Sequence, residues 1–511
     1  MNPWLIWPVA IPAMTAALLV LAMRYNLTIQ RTLSVAATAL QLAVAIGLYV
    51  IAGDGEPRAY FLGHWPAPFG IVLVLDRLSA TMLLLTGFLA LGVVLAALGE
   101  WDRRGRHFHA LFQFQLLGLN GAFLTGDLFN LFVFFEVLLI ASYGLMLHGG
   151  GQRRLKAGFH YVAINLIGST VFLFAVGTIY AVTGTLNMAD LAVKVPHVAV
   201  GNEALLSAGA LMLFTVFAIK SAMVPLQWWL PPTYGSTSPP VAALFAIMTK
   251  VGAYSIIRIY TLIFGAGAGP LAEIAAPWIL PTAILTLVFG TFGVVAGRTV
   301  PDLICYSVVA SMGTLLIAVG LSSQNGLAAA LYYAAQSTLT SAGLFLLAGL
   351  LMKDKGGRGR FTAQARSSPP NMLFAGLYFL LAIAMVGMPP LSGFVGKLLI
   401  LDAGRGDAHI VAVWLTILGT SLLLMIGFAR SGSRIFWSRP RVATTPAATV
   451  ASTVSTVPVC VIVALIAAMA ALSGFAGSVM SDMTATAQQL LEPQRYIRAV
   501  LQPRTATLVE E

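Results

Sequence analysis

Charge is what this chain has least of. Only 9% of its 511 residues are Asp, Glu, Lys or Arg, against about a quarter in soluble globular proteins. With 59% hydrophobic residues and a mean hydropathy of +0.88, a soluble globular fold is excluded. Acidic residues number 18 against 29 basic ones, giving a net charge of +11 and a pI near 9.8. In a soluble protein that balance points to nucleic acid. Here the basic residues sit in short loops between apolar runs, so membrane orientation accounts for them and no nucleic-acid partner is implied. Cysteine is nearly absent. Cys305 and Cys460 each lie inside an apolar run with no CxxC and no histidine nearby, so they read as small core residues, with no disulfide framework and no metal site. None of the seven histidines falls at the centre of an apolar span, which leaves no central histidine relay. A Walker loop, a dinucleotide fingerprint and a nucleophile elbow are also missing, so nothing points to ATP-driven transport by this chain alone or to a bound cofactor.

What remains is a succession of long hydrophobic runs. A spanning helix needs roughly 20 apolar residues, and the sequence predicts an all-α integral membrane protein of about fourteen spans: 3–23, 33–53, 71–98, 108–126, 127–147, 158–182, 204–229, 239–264, 274–297, 302–321, 324–352, 371–402, 409–431 and 451–476. The first follows an uncharged start without a basic region and reads as a retained helix. The fourth and fifth abut at Thr125-Gly126-Asp127, where glycine ends one helix and aspartate caps the next. Loops after odd-numbered spans hold 18 basic residues, from Arg24 and Arg31 to Arg439 and Arg441, whereas loops after even-numbered spans hold only Arg58, Lys194 and Arg405. That split places the odd loops in the cytoplasm and both termini on the outer side. The polar stretch after Gly477 reads as an interfacial helix or a docking segment.

Two spans carry breaks. The seventh runs into Pro225 and then Trp228-Trp229-Leu230-Pro231-Pro232; the twelfth contains Gly387-Met388-Pro389-Pro390-Leu391-Ser392-Gly393. Proline removes a backbone donor, and lipid tolerates the gap only where protein or internal water satisfies the freed groups. A packing kink explains one such site. Two, five spans apart in helices of opposite direction, fit a pair of inverted repeats, each with a discontinuous helix.

Ionisable side chains at mid-membrane depth cost about 3 kcal/mol or more and are functional candidates by default. Few qualify. Glu136 lies halfway along 127–147, Lys220 five residues before Pro225, Lys250 near the centre of the eighth span and Lys397 seven residues beyond Pro390. The bland alternative is that each lysine snorkels or forms one structural ion pair. Burial pushes a lysine pKa down and a carboxylate pKa up, while pairing pushes both back, so a Glu–Lys pair that forms and separates is a switchable proton site. Thr249, Tyr254 and the 233–238 run offer hydroxyls to bridge the gaps. Asp76-Arg77 reads as an interfacial structural pair, and Arg258 either neutralises a neighbour or faces a headgroup region.

The combination of Gly126-Asp127-Leu128-Phe129-Asn130 leading to Glu136, Lys220 through Pro225 to Pro231, Thr249-Lys250-Val251-Gly252, Leu331-Tyr332-Tyr333 and Pro389-Pro390-Leu391-Ser392-Gly393 through Lys397 resembles the antiporter-like subunits shared by respiratory complex I and the multisubunit Mrp-type cation/proton antiporters. The likeness covers nearly the whole chain and is strongest to the D-type subunits of the Mrp, Pha or Mnh assemblies. It implies N-terminal helices over 1–107, a first antiporter-like repeat over 108–264, a second over 265–431, and a last helix with its tail over 432–511. It further implies a Glu136–Lys220 pair, a central Lys250, a terminal Lys397, sister subunits as partners, protons with Na⁺ or K⁺ as cargo, and the inner membrane of a bacterium as the location. The alternatives are a proton-pumping subunit of a redox complex and a scaffold subunit. The sequence departs from the family pattern at Gln227 and at Gln336, where relatives often carry an aromatic or histidine and a histidine respectively. Gln336 hydrogen-bonds but carries no proton, so a relay from Lys250 to Lys397 needs water or hydroxyls such as that of Ser337.

Overall fold

The structure is a computed structural model and describes residues 3–23, 25–354, 372–437 and 456–502. Among these, twelve helices are long and apolar enough to cross a membrane. The chain opens with α1 (Trp7–Leu21), α2 (Leu27–Ala52), α3 (Arg77–Ala97), α4 (Phe108–Leu124), α5 (Leu128–Leu147) and α6 (Gln152–Thr183). A short α7 (Met188–Lys194) leads to α8 (Glu203–Lys220), a one-turn α9 (Leu230–Tyr234) and α10 (Pro239–Leu262). Then come α11 (Ala276–Ala296), α12 (Val300–Gly320), α13 (Gln324–Asp354), α14 (Met372–Val386), α15 (Ser392–Ala403), α16 (Ile410–Phe436), α17 (Thr456–Gly474), α18 (Ala476–Leu491) and α19 (Gln494–Leu501). Two expected spans are not among the twelve: α4 has 17 residues, and the twelfth is split into α14 and α15.

Burial sorts the helices. The central stretch of α10 is wholly buried and α12 and α13 nearly so, whereas less than a third of those of α2, α16 and α17 is buried. Those exposed side chains are apolar, as at Leu40, Leu415 and Leu422, which suits lipid rather than water. Cys460, expected in the core, lies on this exposed side of α17; Cys305 is buried.

Several boundaries differ from expectation. Residues 72–75 are a β-strand, β2 (Val72–Leu75), paired antiparallel with β1 (Arg58–Phe61), and α3 starts only after Asp76 caps it by accepting from Ser79 N at 2.9 Å. The apolar run 71–75 has no period that separates a strand from a helix end. At the α4–α5 junction Asp127 caps α5 as expected, accepting from Asn130 N at 2.8 Å, but α4 stops at Leu124 with Thr125, not Gly126, as its C-cap. Arg31, Arg153, Arg154, Lys156, Lys353 and Arg434 belong to helices, not loops, because α2 and α6 start earlier and α13 and α16 end later than hydropathy implies, and Arg430 lies within both the expected span and α16. Arg24, Lys355, Arg358, Arg360, Arg366, Arg439 and Arg441 lie outside the described residues. The polar tail forms α18, packed on α13 and α10, and α19, which buries Tyr496.

Candidate functional site

The seventh span stops at Lys220, which is therefore the last helical residue of α8 and not a mid-helix residue. Residues 221–226 leave the helix, with Ala222 at φ +52° and a cis Val224–Pro225 bond. The Lys220 ammonium donates to Asn165 Oδ1 of α6 at 2.7 Å and lies 5.8 Å from the centre of the Phe135 ring. Asn165 spends its amide on Tyr161 O of its own helix at 2.7 Å, which turns its oxygen to the lysine. Glu136, half-buried on α5, accepts a hydrogen bond from Ser169. Among the described residues no ion pair joins Glu136 to Lys220; the direct pair expected from the sequence is replaced by contacts to Asn165 and Ser169. These two are four residues apart and share one face of α6.

Lys250 sits at the centre of α10, 1% exposed, and its ammonium has no hydrogen-bond partner among the described residues. Beside it lies a cavity of about 10 Å³, walled by Tyr254, Ile257, Leu315 and Ala330 among others, room for about one water. Ile257 also walls a pocket of about 210 Å³ that reaches Thr261 and Glu273. The hydroxyls expected to bridge from Lys250 are turned elsewhere: Thr249 donates to Ala246 O at 3.4 Å and Tyr254 to Phe123 O at 2.7 Å.

At the second break α14 ends at Val386 and α15 begins at Ser392, with Gly387 at φ +82° and a cis Pro389–Pro390 bond between them. Lys397 reaches back across this gap. Its ammonium donates to Val386 O at 2.8 Å and to Ser421 Oγ of α16 at 2.7 Å. Gln336 of α13 donates to Ala384 O at 2.8 Å, while its own Oε1 is buried without a partner. Ser337 donates to Ala334 O at 3.3 Å, within its own helix. A methyl group at Gly393 would sit 1.8 Å from Ala384 O, so only glycine admits this approach of α15 to α14. The break thus gathers Gln336, Pro389, Pro390, Gly393 and Lys397, and Pro225 marks its counterpart after Lys220.

Two charge clusters lie outside this line. Asp76 does not pair with Arg77. It takes two hydrogen bonds, at 2.6 and 2.8 Å, from Arg258, 182 residues away, and the two side chains are 2% and 3% exposed. Tyr496 covers the pair with its ring centre 5.3 Å from the guanidinium. In the α3–α4 connection, Asp102 takes hydrogen bonds from Arg31 at 2.5 and 3.0 Å and contacts buried His109 at 3.4 Å. Burial opposes its charge, yet the His109 and Arg31 contacts hold its carboxyl well below the usual carboxylate range. Sequence reasoning missed Asn165, Ser169 and Ser421. The available signal was faint: small polar residues at helical spacing in otherwise apolar runs.

Buried ammonium groups held by amide and carbonyl oxygens, at interrupted helices inside a helical membrane bundle, define a class of proton- or cation-handling membrane proteins. Residues 125–423 match the family model described as NADH:quinone oxidoreductase/Mrp antiporter, transmembrane. The chain is 41% identical to the D-subunit of a probable K⁺/H⁺ antiporter of Rhizobium meliloti, with 98% of each chain covered. It is 34% identical to the D-subunit of the Na⁺/H⁺ antiporter of Bacillus subtilis, over 98% of this chain and 100% of the relative. Among solved structures it is similar to a chain of the Mrp complex from Dietzia sp. DQ12-45-1b, with a TM-score of 0.88, 28% identity and coverage of 98% and 100%. The chain belongs to the NADH:quinone oxidoreductase/Mrp antiporter transmembrane family.

Proposed function

We propose that this chain is the D-type, proton-translocating member of a multisubunit secondary antiporter that exchanges Na⁺ or K⁺ for protons in a bacterial inner membrane. It is a transporter subunit and not an enzyme, working with sister subunits as the names of its relatives describe for theirs. Glu136, Lys220, Lys250 and Lys397 are its proton-handling groups, and Thr249, Tyr254, Gln336 and Ser337 flank them. The observation that carries this reading is Lys250: an ammonium in the most buried helix, with no hydrogen-bond partner among the described residues and one water-sized cavity. A charge left unpaired there costs several kcal/mol, which a structural role has no reason to bear.

In this reading α4 and the α14–α15 pair complete fourteen crossings, and the two breaks belong to inverted repeats over 108–264 and 265–431, between the N-terminal helices (1–107) and the last helix with its tail (432–511). The 18-to-3 division of basic residues supports outer termini. A cysteine placed at Gly55 labels with an impermeant thiol reagent in intact cells; protection there overturns the orientation.

The functional test is cation-dependent dissipation of a pH gradient in everted vesicles carrying the whole complex, with assembly checked on native gels. Glu136→Ala, Lys220→Ala and Lys250→Ala each abolish exchange in an assembled complex, and Glu136→Ala with Lys220→Ala is no worse than either alone. Near-normal exchange by assembled Lys250→Ala removes the central lysine from the mechanism.

A further inference from the structure

An open groove of about 850 Å³ lies between α6, α9, α11 and α12, and nothing in the proton line uses it. Arg153 and Lys156 line it from the first turns of α6, and Arg298 from the turn joining α11 to α12. The two sources are about 140 residues apart in sequence and converge only through the fold. None of the three cations has an ion-pair partner among the described residues, and the groove holds one carboxylate, Asp302. Two helix N-termini, of α6 and α12, open on the same place. That of α6 follows Gly151 with no side-chain cap, so its free N–H groups add positive potential. The site is therefore built for an anion.

The walls say which one. Trp228, 51% exposed, and Tyr306 line the groove at the end of the bundle that carries the basic helix ends, as aromatic side chains do at headgroup depth. Phe159 on α6 and Phe289 and Phe292 on α11 are exposed beside it. This apolar surface continues from the cationic groove along the helices, the profile of a phosphate group carrying acyl chains. We propose that this groove binds the phosphate headgroup of an anionic phospholipid, which bridges α6 and α9 to α11 and α12. The site stands whether or not the buried lysines carry protons.

The test is native mass spectrometry of the whole complex from nanodiscs of phosphatidylcholine containing a minority of phosphatidylglycerol. Lys156→Gln/Arg298→Gln removes one cation from each side of the groove. Arg103→Gln/Arg106→Gln removes two cations that do not line it. The expected result is roughly thirtyfold lower retention of phosphatidylglycerol in the groove variant, with the control within about twofold of wild type and the assembly of both intact. Equal loss in the two variants overturns the site in favour of diffuse surface charge. So does wild-type complex that retains no anionic lipid. Displacement of the lipid by millimolar inorganic phosphate alone assigns the groove to a free anion and overturns the lipid.

Discussion

The two breaks solve one problem in opposite directions. In the first half the lysine precedes the break: α8 ends on Lys220, five residues before Pro225. In the second it follows the break: Lys397 lies seven residues past Pro390 and folds back to Val386 O. Only the Lys397 ammonium reaches the C-terminal end of the half-helix before its break, where end carbonyls gather negative potential, whereas that of Lys220 turns aside to Asn165 of α6. No carboxylate lies within 4 Å of either among the described residues. What differs is who caps the half-helix. At the first break Trp229 Nε1 donates to Ile219 O at 2.9 Å, and backbone amides of Ser221, Ala222 and Met223 return to Phe217, Ile219 and Ala218. Lys220 is left to Asn165. At the second break Lys397 and Gln336 do part of the capping themselves. The first lysine is thus free of its break, and the second is part of its own. A loss of activity on removing Lys397 mixes the proposed proton role with a structural one in a way that removing Lys220 does not.

That contrast breaks most sharply at the glycines. A methyl group at Gly393 would lie 1.8 Å from Ala384 O and 2.6 Å from Gln336 Nε2. One at Gly252, which lets α10 approach the first break, would lie 2.4 Å from Ser221 Oγ, 2.7 Å from Ser221 N and 3.0 Å from the Lys220 carbonyl carbon. The Ser221 hydroxyl can rotate away, which leaves a 2.7 Å backbone contact at Gly252 against 1.8 Å at Gly393, so Gly393→Ala is the more damaging. It is expected to cost about 3 kcal/mol or more, and Gly252→Ala about 1–3 kcal/mol. Thermal aggregation midpoints of the solubilised complex, with native gels, measure both. Equal midpoints for Gly393→Ala and wild type mean the second break is looser than its contacts indicate.

Much of this was legible in the sequence because membranes write in large letters. Apolar runs, proline breaks and rare buried charges stand out against lipid-compatible background, and Lys250, Pro225 and the 387–391 gap fall where those signals put them. Partners were not legible. Asp76 looked local to Arg77 because they are adjacent, yet Asp76 caps α3 in a direction that leaves its carboxylate facing Arg258 on α10. The Glu136–Lys220 pair was implied by the likeness to antiporter-like subunits and not by any contact that the sequence itself specifies. Asn165 and Ser169 take the contacts instead, and neither stands out in α6 without knowing which face meets α5 and α8. The strand at 72–75 was hidden by its continuity with an apolar helix.

The finest test of the comparison is Gln336, where the effect is smallest. Its amide donates to Ala384 O, near the end of α14, and its free Oε1 is the one unsatisfied acceptor that this side chain offers toward a bridging water. Gln336→Leu removes both functions and leaves a buried carbonyl without that donor, a cost of about 1–3 kcal/mol, together with a drier path between Lys250 and Lys397. A several-fold slower exchange follows, in an assembled complex. Gln336→His keeps a donor for Ala384 O on one ring nitrogen and presents a second, titratable nitrogen, so exchange near neutral pH stays at or above the wild-type rate. Lys397→Ala then separates the two roles proposed for the second break: the half-helix loses a cap, and the proposed path loses its last ammonium. Reduced assembly reports the first, and lost exchange at normal assembly the second. If Gln336→Leu and Lys397→Ala both assemble and run at the wild-type rate while Lys250→Ala is dead, the second half carries no protons. The line then ends at Lys250 or leaves through a neighbouring subunit.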